Sequence, residues 1–152
     1  MNPGTKHIFL ADDDEDDRLL FKDAVYELKL PFSISAVDDG EQLINRLSQC
    51  GTDLPYAIFL DLNMPRKNGY DCLKEIKASQ TLSPVPVIIF STSYEPGIAE
   101  LLYEQGAHYY IRKPASFDEL KKVISRAFTL LQETNGQPPL ERFLIKKQQI
   151  LP

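Results

Sequence analysis

Residues 56–65 read Tyr-Ala-Ile-Phe-Leu-Asp-Leu-Asn-Met-Pro, an apolar run that ends abruptly in a carboxylate. An unbroken run of this kind, bounded by polar and turn residues, predicts a strand that is covered on both faces. Such strands occur in parallel sheets, where ligands bind beyond the carboxyl ends of the strands. The stretch therefore predicts a buried parallel strand with Asp61 at its carboxyl end.

Four further apolar runs lie along the chain, and they carry the β-branched and aromatic residues that favour strands. They occupy residues 7–11, 32–37, 85–90 and 109–111. The segments between and after the runs have apolar residues at helical spacing, as at Leu120, Val123 and Ile124. Strands that alternate with helices form βαβ units, because each helix returns the chain to the start of the next parallel strand. We therefore expect an α/β protein with a doubly wound parallel sheet of five strands and helices on both faces.

The composition limits the classes of function. The chain has 152 residues, of which 43% are hydrophobic and 26% charged, which suits one domain with a sizeable core. Its formal net charge of -5 repels phosphates and disfavours direct nucleic acid binding. No apolar stretch approaches the ~20 residues that cross a bilayer, so we expect no membrane insertion. Cys50 and Cys72 lack the spacing of a metal site or a disulfide framework, which predicts a cytoplasmic protein with reduced thiols.

Polar residues follow several of the apolar runs. Asp12 and Asp13 follow the first run, and Asp61 follows the third. Three carboxylates at one edge of a sheet repel each other and call for a cation, and oxygen ligands suit Mg²⁺. Ser91 and Lys113, at the ends of the fourth and fifth runs, can donate to the oxygens of a phosphoryl group. Together these residue types indicate phosphoryl-transfer chemistry.

In this order the motifs resemble the receiver domain of bacterial two-component response regulators. The resemblance rests on the pair Asp12-Asp13, the run Phe-Leu-Asp-Leu-Asn-Met-Pro at 59–65 with Gly69, Ser91 after Val-Ile-Ile-Phe, and residues 106–114. It spans residues 6–131 and implies a flavodoxin-like (βα)5 sheet in the order 2-1-3-4-5. Residues 132–152 are then expected to be a C-terminal extension and no separate domain. Since no output domain follows, the resemblance implies a stand-alone, single-domain receiver.

The resemblance implies a role for each residue of the site. Asp61 is expected to be the phosphoacceptor. Asp13, Asp61 and the main-chain carbonyl of Asn63 are expected to ligate Mg²⁺, with Asp12 helping through a metal-bound water. Lys113 is expected to pair with Asp61 and then with a phosphoryl oxygen, and its bond to the following proline is cis in the family.

The resemblance also implies a conformational switch. Ser91 is expected to bond the phosphoryl group, and Tyr110 to swing between exposed and buried rotamers as Ser91 moves. The output surface is expected on the fourth helix, the fifth strand and the fifth helix, where a homodimer or a downstream protein would bind. The phosphoryl donor is expected to be a sensor histidine kinase or a histidine phosphotransfer protein. The loop at 63–69 is similar to that of regulators paired with phytochrome-type kinases.

Two other functions stay open at this point. A strand-end aspartate with Mg²⁺ also serves phosphatases and phosphotransferases that form an aspartyl phosphate. Those haloacid-dehalogenase-like enzymes carry the motif Asp-x-Asp at the nucleophile, whereas in this chain the position of the second aspartate of that motif, residue 63, is Asn. A purely structural interaction module would ignore phosphate, which the presence of Asp13, Asp61 and Lys113 disfavours. We therefore expect self-phosphorylation and self-dephosphorylation and no other enzymatic activity.

Two segments are interpreted without a role in the site. The acidic residues at 14–17 are interpreted as a solvated cap that complements a helix dipole. In the C-terminal extension, the apolar residues are expected to pack on the body of the domain or on a partner. These residues are Leu140, Phe143, Leu144 and Ile145.

Overall fold

The computed structural model describes residues 6–133 and 135–146 of the chain. In that part of the chain the strands are β1 (Lys6–Ala11), β2 (Phe32–Val37), β3 (Ala57–Leu60), β4 (Val87–Ser91) and β5 (Tyr109–Arg112). The helices are α1 (Glu15–Glu27), α2 (Gly40–Ser48), α3 (Gly69–Ala78), α4 (Pro96–Glu104) and α5 (Phe117–Glu133), followed by a 3₁₀ turn at Leu140–Arg142. Each predicted strand is confirmed, with bounds that differ by two residues at most. None of the helices within these two described ranges is both long enough and apolar enough to span a bilayer.

The strands form one parallel sheet in the order β2-β1-β3-β4-β5, as the resemblance implies. β1 lies in the interior of the sheet, and its last residue, Ala11, pairs with Val37 on one side and Leu60 on the other. The chain therefore builds the sheet outward in both directions from β1. The carboxyl ends of β1 and β3 lie at the point where the direction changes, which is where open parallel sheets bind ligands.

Both faces of the sheet are buried, because successive side chains of a strand point to opposite faces. In β3, Ile58 and Leu60 pack on the side of α2, α3 and α4, whereas Ala57 and Phe59 pack on the side of α1 and α5. All four side chains are fully buried. This two-sided burial explains why the run at 56–60 has no polar residue at alternate positions.

Three of the helices begin at a side-chain cap on the carboxyl edge of the sheet. Asp14 caps α1, Asp39 caps α2 and Asn68 caps α3, and each side chain accepts a hydrogen bond from the main-chain amide three residues later. Such caps contribute about 1 kcal/mol each. They fix where each loop at this edge turns into a helix, and so they limit the paths of the loops that carry the site.

The described part of the C-terminal extension packs on the body of the domain beside β5. The amide of Tyr110 donates to the carbonyl of Phe143, and the amide of Ile145 donates to the carbonyl of Tyr110, both at 2.9 Å. Leu144 thereby forms a single parallel bridge with Tyr110. Phe143 and Ile145 are buried, one in each layer of the core, whereas Leu140 stays exposed. Of the two expected outcomes for the extension, packing on the body is the one observed for Phe143 and Ile145.

Candidate functional site

Three backbone hydrogen bonds bring the candidate residues to the carboxyl edge of the sheet. The amide of Asp12 donates to a main-chain carbonyl of β2 at 3.1 Å. The amide of Asp61 donates to a carbonyl of β1 at 3.0 Å, and the amide of Lys113 donates to a carbonyl of β4 at 2.8 Å. Each bond continues the sheet just beyond the end of a strand. The sheet itself therefore places these three side chains, as the sequence predicts.

The carboxylates of Asp12, Asp13 and Asp61 form a cluster in which one oxygen of each lies within 4.8 Å of the others. Asp12 and Asp61 are buried and Asp13 is exposed. Burial raises the pKa of Asp12 to about 6, although Lys113 lowers it. The Oδ2 atom of Asp12 is buried beside the ammonium of Lys113. A donor set that consists of carboxylate oxygens alone fits a hard cation.

Lys113 supplies the counter-charge to this cluster. Its Nζ lies 2.7 Å from Oδ2 of Asp12, which is a close ion pair. It also donates hydrogen bonds to Oδ2 of Asp61 at 3.2 Å and to Oδ2 of Asp17 at 2.9 Å. Burial lowers the pKa of Lys113, but the neighbouring carboxylates outweigh burial and raise the pKa above its ordinary value. The ammonium is therefore a fixed positive charge at the site.

Asp17 is a site residue that the sequence interpretation missed. Treating residues 14–17 as a solvated cap is right for Asp14 and wrong for Asp17, whose side chain is 31% exposed and bonds Lys113. The spacing between Asp13 and Asp17 could have indicated that Asp17 belongs to the site. Asp17 follows Asp13 by four residues, and the side chains of a helix tilt towards its N-terminus, which directs Asp17 back to the end of β1.

The loop between β3 and α3 holds the carboxylate of Asp61 from the other side. The amide of Leu62 donates to Oδ1 of Asp61 at 2.8 Å, which leaves Oδ2 facing Lys113. The amide of Gly69 closes the loop on the carbonyl of Leu62 at 2.9 Å. A Cβ atom on Gly69 would lie 2.2 Å from the main-chain oxygen of Asp61, so this closure requires glycine. Asn63, the expected carbonyl ligand, lies in the same loop with an exposed side chain.

A second contact fixes this loop from the side of β2, and sequence reasoning missed it. Arg66 has a positive φ of 66° and places Nη1 2.7 Å from Oδ2 of the buried Asp39. A Cβ atom on Gly40 would lie 2.0 Å from the main-chain oxygen of Lys67, so the two loops pack backbone to backbone. The two partners of the ion pair are 27 residues apart, a separation that no periodic pattern reports.

The two expected switch residues, Ser91 and Tyr110, lie inside the domain. The Oγ atom of Ser91 is 3.5 Å from Oγ of Ser93, at the limit of a hydrogen bond. The hydroxyl of Tyr110 donates a short hydrogen bond to the carbonyl of Ser93, and burial raises the pKa of this phenol. Its ring packs on the rings of Tyr94 and Phe143. Tyr110 therefore has the buried one of its two expected rotamers and is tied to the loop after β4.

The peptide bond between Lys113 and Pro114 is trans, since the described residues contain no cis peptide bond. The expectation of a cis bond at this position is wrong for this structure. The trans isomer is intrinsically preferred before proline by about 0.5–1 kcal/mol.

Known proteins resemble this chain along most of its length. The family model for the response regulator receiver domain matches residues 8–125. Response regulator Rcp1 of Synechocystis sp. is 28% identical over 137 residues, which are 88% of this chain and 93% of that protein. The structure of the phosphorylated cyanobacterial phytochrome response regulator RcpA has a TM-score of 0.78 at 30% identity, over 88% of this chain and 99% of that chain. The structure of the Mn²⁺-bound form of Rcp1 has a TM-score of 0.76 at 27% identity, over the same shares.

Proposed function

Because this chain belongs to the family of response regulator receiver domains, the switches of two-component systems, we propose that Asp61 is the residue that accepts the phosphoryl group. The observation that supports this proposal is the environment of the Asp61 side chain. Oδ1 accepts the amide of Leu62, whereas Oδ2 faces Lys113 at 3.2 Å inside the carboxylate cluster. We assign the attack on phosphorus to Oδ2, because it lies inside the cluster beside the ammonium that would meet the phosphoryl oxygens.

The transfer exchanges one bond for another. Oδ2 of Asp61 forms a bond to phosphorus while the bond from phosphorus to the histidine nitrogen of the donor breaks, and the electron pair stays on that nitrogen. Lys113 offsets the charge on the phosphoryl oxygens, because its ammonium already lies beside Oδ2. Ser91 offers its hydroxyl to another of these oxygens from the end of β4.

We propose Mg²⁺ as the metal of this site. Asp13, Asp61 and the main-chain carbonyl of Asn63 would ligate it directly, and Asp12 would act through a bound water. The oxygen-only donor set supports a hard cation, and the relative Rcp1 has a structure with bound Mn²⁺. When bound, the ion would screen the carboxylates from each other and stabilise charge on the phosphoryl group.

The proposed switch runs from Ser91 to the face formed by α4, β5 and α5. As the hydroxyl of Ser91 turns to the phosphoryl group, the loop carrying Ser93 moves with it, and Tyr110 follows because its hydroxyl is bonded to that loop. We assign this receiver function to residues 6–131, with 132–152 as an extension. A homodimer or a downstream protein would bind this face.

Receiver domains accept phosphoryl groups from histidine kinases or histidine phosphotransfer proteins, and we propose a phytochrome-type kinase as the donor for this chain. The likeness to the phytochrome response regulator RcpA supports this choice. Such donors draw their phosphoryl group from ATP, which supports a cytoplasmic location for this chain. The test is transfer from a purified phosphorylated kinase of this type, compared with a kinase of another input class. Equal transfer rates from both would contradict the assignment.

The phosphoacceptor is tested by intact mass after incubation with a small acyl phosphate, with and without Mg²⁺. Wild type should gain one phosphoryl group in a metal-dependent manner, and Asp61→Asn should gain none. Asp53→Asn is the matched control, because it makes the same chemical change at an exposed position outside the cluster. Undiminished labelling of Asp61→Asn would contradict the assignment.

We further propose that the chemistry is limited to self-phosphorylation and self-dephosphorylation. Asn63 occupies the position at which aspartyl-phosphate phosphatases carry a second aspartate, which supports this limit. Steady release of phosphate from phosphorylated metabolites would support a phosphatase instead. Partner binding that is indifferent to beryllofluoride, a phosphoryl mimic, would support a phosphate-independent interaction module.

A further inference from the structure

Asp17 shares the ammonium of Lys113 with two carboxylates of the phosphoryl site. Nζ of Lys113 lies 2.7 Å from Asp12, 2.9 Å from Asp17 and 3.2 Å from Asp61. An ammonium has three N–H donors and no more. Three carboxylates therefore surround the ammonium. When Oδ2 of Asp61 bonds to phosphorus, Asp12 and Asp17 still compete with the phosphoryl oxygens for the N–H donors of Lys113.

The three carboxylates differ in how easily they can give up Lys113. The side chains of Asp12 and Asp61 are 1% and 10% exposed, whereas that of Asp17 is 31% exposed. A buried carboxylate that loses its partner keeps the full cost of desolvation, but water can replace the lysine at Asp17. Asp17 also lies on the first turn of α1, where the helix dipole stabilises a negative charge. Of the two residues that remain carboxylates after phosphorylation, Asp17 therefore releases Lys113 at the lower cost.

We propose that Asp17 is a positioning residue that holds Lys113 in the unphosphorylated protein and releases it to the phosphoryl group. This inference rests on the proposed function of Asp61. Asp17 competes with the phosphoryl group for an N–H of Lys113, and its negative charge also repels the phosphoryl oxygens. Both effects oppose phosphoryl binding. Deleting this carboxylate should therefore strengthen binding of a phosphoryl mimic, even though it removes a salt bridge.

The direction of the effect separates this role from a structural one. If Asp17 only stabilised the fold around Lys113, its removal would loosen the site and weaken binding. If Asp17 competes, the affinity should rise on the order of three- to tenfold, the range expected for one nearby like charge that is partly screened by solvent.

The test measures the affinity of the full chain for beryllofluoride at saturating Mg²⁺ by isothermal titration. Asp17→Asn should bind more tightly than wild type, and Asp17→Glu, which keeps the carboxylate, should return close to wild type. Asp16→Asn is the matched control, because it removes the same charge from an exposed position on the same turn of α1. It should leave the affinity within about twofold of wild type, since exposed charges are strongly screened.

Three results would overturn the inference. Equal affinities of Asp17→Asn and Asp16→Asn would show that the contact with Lys113 does not matter, and weaker binding by Asp17→Asn would show a structural role. Failure of folded wild type to bind beryllofluoride would overturn the proposed role of Asp61, and this inference with it. Asp61→Asn, which should not bind, is the control that the measured affinity depends on Asp61.

Discussion

His108 should make the stability of the domain sensitive to acid. The residue precedes β5, is 9% exposed, and its Nδ1 is buried without a hydrogen-bond partner among the described residues. Burial, and then the positive charge of Lys77, lower the pKa of His108 to about 4. In the unfolded chain a histidine has a pKa of about 6.5.

The sign and size of the effect follow from these two values. Between about pH 6.5 and pH 4 the unfolded chain binds a proton that the folded chain excludes, so the free energy of unfolding falls as the pH falls. The contribution of His108 is fully present above the unfolded pKa and is lost as the pH falls to the folded pKa. One proton over about 2.5 pH units corresponds to about 3 kcal/mol.

The assay is urea unfolding of the metal-free protein at several pH values across this window. Wild type should lose about 3 kcal/mol more than His108→Gln, which cannot titrate, because all other groups are common to both proteins. His7→Gln, which removes the other histidine, should retain the extra loss. Parallel curves for wild type and His108→Gln would refute the assignment of the acid sensitivity to His108.

Three further predictions concern the site and the thiols. Gly69→Ala should cost more than 2 kcal/mol of stability and slow phosphorylation, because the new Cβ would lie 2.2 Å from the main-chain oxygen of the phosphoacceptor; Gly97→Ala, with open space around it, should be tolerated. Mg²⁺ at ten times its measured dissociation constant should raise the free energy of unfolding of wild type by about 1.4 kcal/mol, and Asp13→Asn should lose most of this gain. Burial raises the pKa of Cys72 to about 12, so a thiol reagent should label Cys50 in the folded protein and Cys72 only after unfolding; equal labelling rates would contradict this burial.

The sheet and most of the site could be predicted from the sequence, because both depend on position along strands. Two-sided burial leaves an unbroken apolar run, as in β3, and parallel strands bring their carboxyl ends to one edge. These two facts suffice to bring Asp12, Asp61 and Lys113 to the same edge of the sheet. The family resemblance adds the strand order, which periodicity does not contain.

The contacts that could not be predicted depend on the directions of side chains across long separations. Asp17 reaches Lys113 across 96 residues, and Arg66 reaches Asp39 across 27. Neither pair produces a repeating pattern, and an aspartate on a first helical turn is usually a solvated charge. Gly69 could be recognised from the sequence as part of a motif. The steric reason why this position requires glycine is visible only in the folded loop.

The C-terminal extension also changes which edge of the sheet can accept another chain. An outer strand presents unpaired N–H and C=O groups, on which a foreign strand can add. At β5 the amide of Tyr110 already donates to Phe143, and the carbonyl of Tyr110 already accepts from Ile145. At the opposite edge β2 pairs only with β1 within the described ranges. Aggregation or strand exchange between copies of this protein should therefore start along Phe32–Val37 and not at β5.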